Sequence, residues 1–223
     1  MRLGGARRWL VLALLVAAAV SAGSGVMNRY YLGVASEVGI NVILAVSLNL
    51  INGYTGQFSL GHGGFMAVGA YVAAKMTLVF GEQVGAAFQP LLFAGALVAG
   101  GGAAALAGLA VGVPSLRLRG DYLAVVTLCF GEIIRVVFQN SAFFGAATGL
   151  SGIAPWTTFG WSWGVAALTV YVVLALVHST YGRGFLAVND DEIAASAMGL
   201  NPLKYKVTAF LVGAFFAGVA GGL

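Results

Sequence analysis

PLLFAGALVAGGGAAALAGLAVGV, residues 90–113, has no charged residue and six glycines in twenty-four positions. About 20 apolar residues suffice to cross a bilayer as a helix. Glycine at this density suits helices that pack closely in lipid, where small residues let backbones approach. The stretch therefore reads as a transmembrane helix. Six further apolar runs accompany it, at 9–26, 31–51, 60–80, 121–139, 161–179 and 207 to the end. The run at 60–80 opens with Gly61-His62-Gly63-Gly64 and reads as a broken helix or a re-entrant turn. Such backbone is tolerated at membrane depth only where protein or a water-filled cavity covers it. The run at 9–26 follows Arg2, Arg7 and Arg8 and reads as a retained helix rather than a cleaved signal peptide. The last run stops at Gly221-Gly222-Leu223 without a polar flank and reads as C-terminally truncated.

Composition agrees. The chain is 60% hydrophobic and 8% charged, with a mean hydropathy of +0.95. Soluble globular chains carry roughly 25% charged residues, so a soluble domain is excluded, and so is disorder, which requires a polar, charged chain. The 34 glycines follow no Gly-X-Y period, which excludes a collagen helix. The net charge of +4 is not a nucleic-acid footprint, because the basic residues are scattered between apolar runs. The single Cys129 lies inside an apolar run and reads as a buried, inert thiol. The expected fold is all-α, a polytopic transmembrane helix bundle of about seven spans in contact with lipid, forming one domain over 1–223.

Lysine and arginine fix an orientation, since they accumulate in cytoplasmic connections. With the N-terminus inside, the inner segments hold Arg2, Arg7, Arg8, Arg117, Arg119, Arg183, Lys204 and Lys206, and the outer ones only Arg29. The loop 140–160 is then external, with Trp156, Trp161 and Trp163 at the outer interface. The segment 180–206 is cytoplasmic.

Within that segment, residues 189–202 predict a short helix. Asn189 suits the N-cap, with Glu192 three residues on as in a capping box. Asp190, Asp191 and Glu192 fill the first turn, where the helix dipole favours negative charge. Gly199 ends the helix in a left-handed conformation, and Pro202 blocks its continuation. Ile193 and Ala197 share one face, Ala194 and Met198 another. A helix this short is unstable alone. It reads either as a connector lying on the bundle or as a docking helix for a cytoplasmic partner.

Polar residues inside the spans are few. Gln57, Ser59 and His62 read either as the lining of a polar path or as tightly packed, internally hydrogen-bonded groups. His62 has no second ligand at a metal-binding spacing, and His178 reads as interfacial. Glu37, Lys75, Glu132 and Arg135 all fall in the outer half of the membrane, two acids against two bases. Charges in a span usually face a cavity or a partner. Glu132 and Arg135 are spaced to pair on one helix, and Lys75 is placed to snorkel outward. The four read as structural pairs or as an outer vestibule for a polar or zwitterionic substrate.

Four stretches carry a family resemblance: Asn49–Phe65 (NLINGYTGQFSLGHGGF), Leu116–Ala124 (LRLRGDYLA), Thr148–Ile153 (TGLSGI), and Gly182-Arg183-Gly184 through Gly199-Leu200-Asn201, which holds Ala194-Ala195-x-x-x-Gly199. In order and spacing over about 35–223 the chain resembles the LivM-type permeases of branched-chain amino-acid ABC importers. Their coupling loop usually has an acid just before the paired alanines; here Ile193 stands there and Glu192 is one residue earlier.

The resemblance implies further helices beyond residue 223, a second permease subunit, two cytoplasmic ABC ATPases and a periplasmic binding protein, all at the bacterial inner membrane. It assigns ATPase coupling to Asp191, Glu192, Ala194, Ala195, Met198 and Gly199. Glu37, Gln57, Ser59, His62, Glu132 and Arg135 are the candidates for the translocation path. No Gly-x-x-x-x-Gly-Lys-Ser/Thr pattern occurs, so ATP and Mg are expected on the partner ATPase and no catalytic or cofactor site in this chain. Urea or amides, other amino acids and simple sugars are alternative cargoes of the same importer class. A passive channel or secondary transporter is the alternative mechanism; an intramembrane enzyme finds no Ser/His or paired-Asp arrangement to support it.

Overall fold

A computed structural model describes residues 28–81, 83–85, 88–116 and 121–223. The candidate span at 9–26 lies outside the described residues. Six helices among the described residues are long and apolar enough to cross a membrane. They are α1 (Arg29–Asn52), α2 (His62–Phe80), α3 (Gln89–Ser115), α4 (Asp121–Asn140), α5 (Phe159–Val177) and α8 (Pro202–Gly222). Between α5 and α8 run α6 (Thr180–Asp190) and α7 (Glu192–Ala197). Each of the other six expected spans thus forms a helix.

α8 is the centre of the bundle, packed against α1, α2 and α3. Its inner stretch is small: Gly213, Ala214, Ala217 and Gly218 are buried. These residues permit a three-helix junction. A Cβ on Gly100 would lie 2.7 Å from the carbonyl oxygen of Gly69, and one on Gly218 would lie 2.9 Å from that of Gly100. No side chain fits there, which is how glycine-rich α3 earns its place in the core. Two apolar clusters flank the junction, one built on Ile43, Leu50, Phe185 and Ala209, the other on Ile51, Phe65, Leu123 and Phe210.

Several buried hydroxyls return to carbonyls of their own helices, which satisfies them without water. Thr169 donates to the Val165 carbonyl at 2.8 Å and Thr127 to that of Ala124 at 3.0 Å.

The stretch 140–160 forms two 3-10 turns, Ala142–Phe144 and Ala146–Thr148, before α5. Lys75 reaches it, donating to the Phe143 carbonyl at 3.1 Å. Trp156 and Trp161 pack edge-on against Phe93, and Trp163 donates to the Ala35 carbonyl at 3.0 Å. These tryptophans therefore tie the elements together at one end of the bundle.

One expectation fails. Cys129 is exposed on α4 rather than buried. An apolar run in a membrane protein has two apolar destinations, the protein core and the lipid, and hydropathy does not separate them.

Candidate functional site

The opposite end of the bundle gathers the irregular segment 53–61, α6 and α7. α1 ends at Asn52, and the chain folds back against its last turn. The Ile51 carbonyl accepts from Thr55 Oγ1 at 2.7 Å and from the Gln57 amide at 3.2 Å. Asn52 Oδ1 accepts from the Ser59 amide at 3.3 Å, and Thr127 Oγ1 of α4 from the Leu60 amide at 3.1 Å. His62 Nε2 meets Ser47 Oγ at 2.8 Å. The segment is thus stitched to two spans, which satisfies non-helical backbone at depth. The helix that follows is unbroken from His62; the irregularity precedes it.

Gln57, Ser59 and His62 are buried, Gln57 with 2% and Ser59 with 1% of its surface exposed. Gln57 Nε2 donates to Thr55 Oγ1 at 2.8 Å and to the Lys206 carbonyl at 3.3 Å. Gln57 Oε1, Ser59 Oγ and His62 Nδ1 have no partner among the described residues. The segment and its bonds to Ser47, Thr127 and Lys206 form a buried polar knot in which these three side chains sit. The groove between α2 and α4 runs past Leu60, Gly63 and Gly64, and none of the three lines it.

The predicted helix over 189–199 requires correction. Ser179 caps α6, which continues through Asn189 and Asp190, burying Phe185 and Val188 against the bundle. Asp191 is extended, at φ −155° and ψ 109°. It, not Asn189, is the N-cap of α7, its Oδ1 accepting from the Ile193 amide at 2.8 Å and the Ala194 amide at 3.1 Å. Asn189 instead donates to the Gly53 carbonyl at 3.2 Å, tying α6 to the knot. The end of α7 follows the expectation: Gly199 has φ +83°. Its amide bonds to the Ser196 carbonyl and the Leu200 amide to that of Ala195, the paired bonds of a Schellman motif.

α7 packs against α6 and α8. Ala195 is its buried residue, 4% exposed, while Met198 is 84% exposed and Ile193 and Ala194 also face outward. Ala195 therefore does not share a docking face with Ala194 and Met198; one helical step separates the outward side from the side seated on the bundle. Glu192 accepts from Lys206 Nζ at 2.8 Å. Lys206 thus holds α7 through its ammonium and Gln57 through its carbonyl. The sequence reading missed this hub. Its signal was available in the acid at 192 and the base at 206, but their meeting depends on the elbow at Asp191.

On α4, Arg135 Nε donates to both carboxylate oxygens of Glu132, at 3.1 and 3.0 Å, and Nη2 also donates to Oε1. Glu37 is exposed on α1 and has no ion-pair partner among the described residues.

A bundle of apolar helices carrying a capped elbow on one connection defines a multi-pass membrane protein. The chain belongs to the family described as branched-chain amino acid transport system / permease component, whose profile matches residues 30–223. The high-affinity branched-chain amino acid transport system permease protein LivM of Salmonella typhimurium is 34% identical over 252 aligned residues, covering 97% of this chain and 57% of the relative. LivM of Escherichia coli gives the same identity and coverage. The guanosine ABC transporter permease protein NupQ of Bacillus subtilis is 24% identical, covering 76% of this chain and 58% of the relative. The chain thus spans somewhat over half the length of these curated relatives. No solved structure matches it.

Proposed function

We propose that this chain is a membrane-spanning part of a permease subunit of an ATP-driven importer for branched-chain amino acids at the bacterial inner membrane. Its N-terminus is cytoplasmic, and it is not itself an enzyme. A second permease subunit completes the path, two cytoplasmic ATPases bind ATP and Mg, and a periplasmic binding protein delivers the substrate.

One observation carries the reading. The Asp191 elbow turns Ile193, Ala194 and Met198 outward at the end of the bundle that holds Lys204 and Lys206. An apolar surface on a six-residue helix beside that many charges is not a lipid surface, and it suits the groove of a cytoplasmic protein. Behind it, Glu192–Lys206, Lys206–Gln57 and Asn189–Gly53 form a continuous chain of contacts into the bundle. A displacement of α7 by the ATPase would be felt at the knot and at the foot of α1. The two LivM relatives, both branched-chain amino acid permeases, support the cargo class.

Co-purification tests this reading. The full-length permease is expected to retain an ABC ATPase, and Ala194→Arg or Met198→Asp to lose it while the permease stays at normal membrane levels. Burying an unpaired charge at that contact costs several kcal/mol, roughly a thousandfold in affinity. Retention of the ATPase by both variants contradicts the docking role.

A further inference from the structure

α4 is by far the most amphipathic of the six spans; the other five are apolar nearly all round. At 100° per residue, Leu128, Glu132, Arg135 and Gln139 fall along one flank of α4. Cys129, Ile133, Val136 and Val137 fall on the other exposed side, which is apolar over those positions and suited to lipid. The polar flank is not. Glu132 and Arg135 have side chains 57% and 60% exposed, and a charge facing lipid at mid-membrane costs about 2.5–3.5 kcal/mol on insertion scales.

That flank forms one wall of a groove of about 370 Å³, whose other wall is α2 with Leu60 and Tyr71. From Leu128 to Gln139 it runs eleven residues, about 16 Å of helix. Its chemistry is unusual for a span: one carboxylate, one guanidinium, one amide and one phenol, between apolar side chains.

We propose that this groove binds an α-amino acid as its zwitterion. Arg135 takes the substrate carboxylate, Glu132 takes the ammonium group, and Leu60, Tyr71 and Leu128 receive an aliphatic side chain. The inference rests on the importer reading above and adds the residues that recognise the cargo. In the empty groove Glu132 and Arg135 neutralise one another. With a zwitterion present, one ion pair is exchanged for two of the same kinds, so no charge is left unpaired at any stage. A solute with only one of the two charges leaves either Glu132 or Arg135 uncompensated, which a low-dielectric site penalises. A purely structural ion pair needs neither the groove nor the amide and phenol beside it.

The test uses the full-length permease with its ATPases, second permease and binding protein in proteoliposomes, and L-leucine as probe. The double variant Glu132→Gln/Arg135→Gln removes both charges, keeps polar side chains at both positions, and eases membrane insertion. Leucine uptake is expected to fall on the order of tenfold or more, with ATPase retention unchanged, as when charge-assisted hydrogen bonds to a substrate are lost. Uptake equal to wild type shows a structural pair and overturns the site.

Should that variant fail to assemble, cysteine accessibility in a Cys129→Ala background decides. Leu128→Cys and Gln139→Cys are expected to react with an impermeant thiol reagent and to be protected by L-leucine, and Ile133→Cys not to react. Labelling that leucine leaves unchanged at Leu128→Cys overturns the proposal. Wild-type vesicles that take up no leucine point instead to failure of the importer reading.

Discussion

Gly100→Ala places a methyl group in the α2–α3–α8 junction. The new Cβ would lie 2.7 Å from the Gly69 carbonyl oxygen, and since that atom is helix backbone, no side-chain rotation relieves the contact. The helices must separate. Overpacking of this kind costs about 1–3 kcal/mol, offset by the helix propensity that alanine gains over glycine, about 0.5–1 kcal/mol. The net expectation is a loss of about 1–2 kcal/mol, read as a fall of roughly 2–4 °C per kcal/mol in the thermal denaturation midpoint of the detergent-solubilised protein. Gly102→Ala is the internal control. It lies on the same helix, two residues away, and its Cβ meets nothing within 4 Å, so it keeps the propensity gain and pays no steric cost. The junction predicts opposite signs for the two variants. Equal midpoints would refute the close approach of α3 to α2.

Two further outcomes are expected. Gly199→Val forces a β-branched residue to φ +83°, a strain of about 1–3 kcal/mol; it is expected to weaken ATPase retention while leaving membrane insertion intact, as pull-down against a membrane-fraction blot reads. For the orientation, a cysteine at Ser151 is expected to react with an impermeant reagent applied from the periplasmic side and a cysteine at Ser196 not to, and the reverse pattern rejects a cytoplasmic N-terminus.

The spans were legible because a bilayer imposes length and apolarity on each one separately. The helix found at Phe159–Val177 was expected at 161–179, and that at His62–Phe80 at 60–80. The left-handed Gly199 was legible because glycine before a proline boundary is a local signal, and the Glu132–Arg135 pair because its spacing lies within one helix. What the sequence hid depends on contacts between elements. Ser179 caps a helix that reaches Asp190 because Phe185 and Val188 find a core to bury in, and that moves the cap from Asn189 to Asp191. Ala194 and Ala195 are identical as residues, yet the elbow sends one outward and the other into the bundle. Gln57, Ser59 and His62 were open to two readings, path or packing, and their burial is consistent with packing within this chain. Thr127, Asn52 and Lys206 escaped notice because each acts on a partner brought near by the fold. The polar flank of α4 was present in the spacing of Glu132, Arg135 and Gln139, but the groove needs α2 alongside.

The most direct test of the central claim is uptake of radiolabelled L-leucine by proteoliposomes holding the full-length permease, its partner permease and ATPases, with the binding protein on the outer side. The account predicts accumulation against a gradient that requires ATP at the α7 face and stops when the ATPases are omitted. Leucine movement that is indifferent to ATP, or accumulation of another solute with none of leucine, would contradict it.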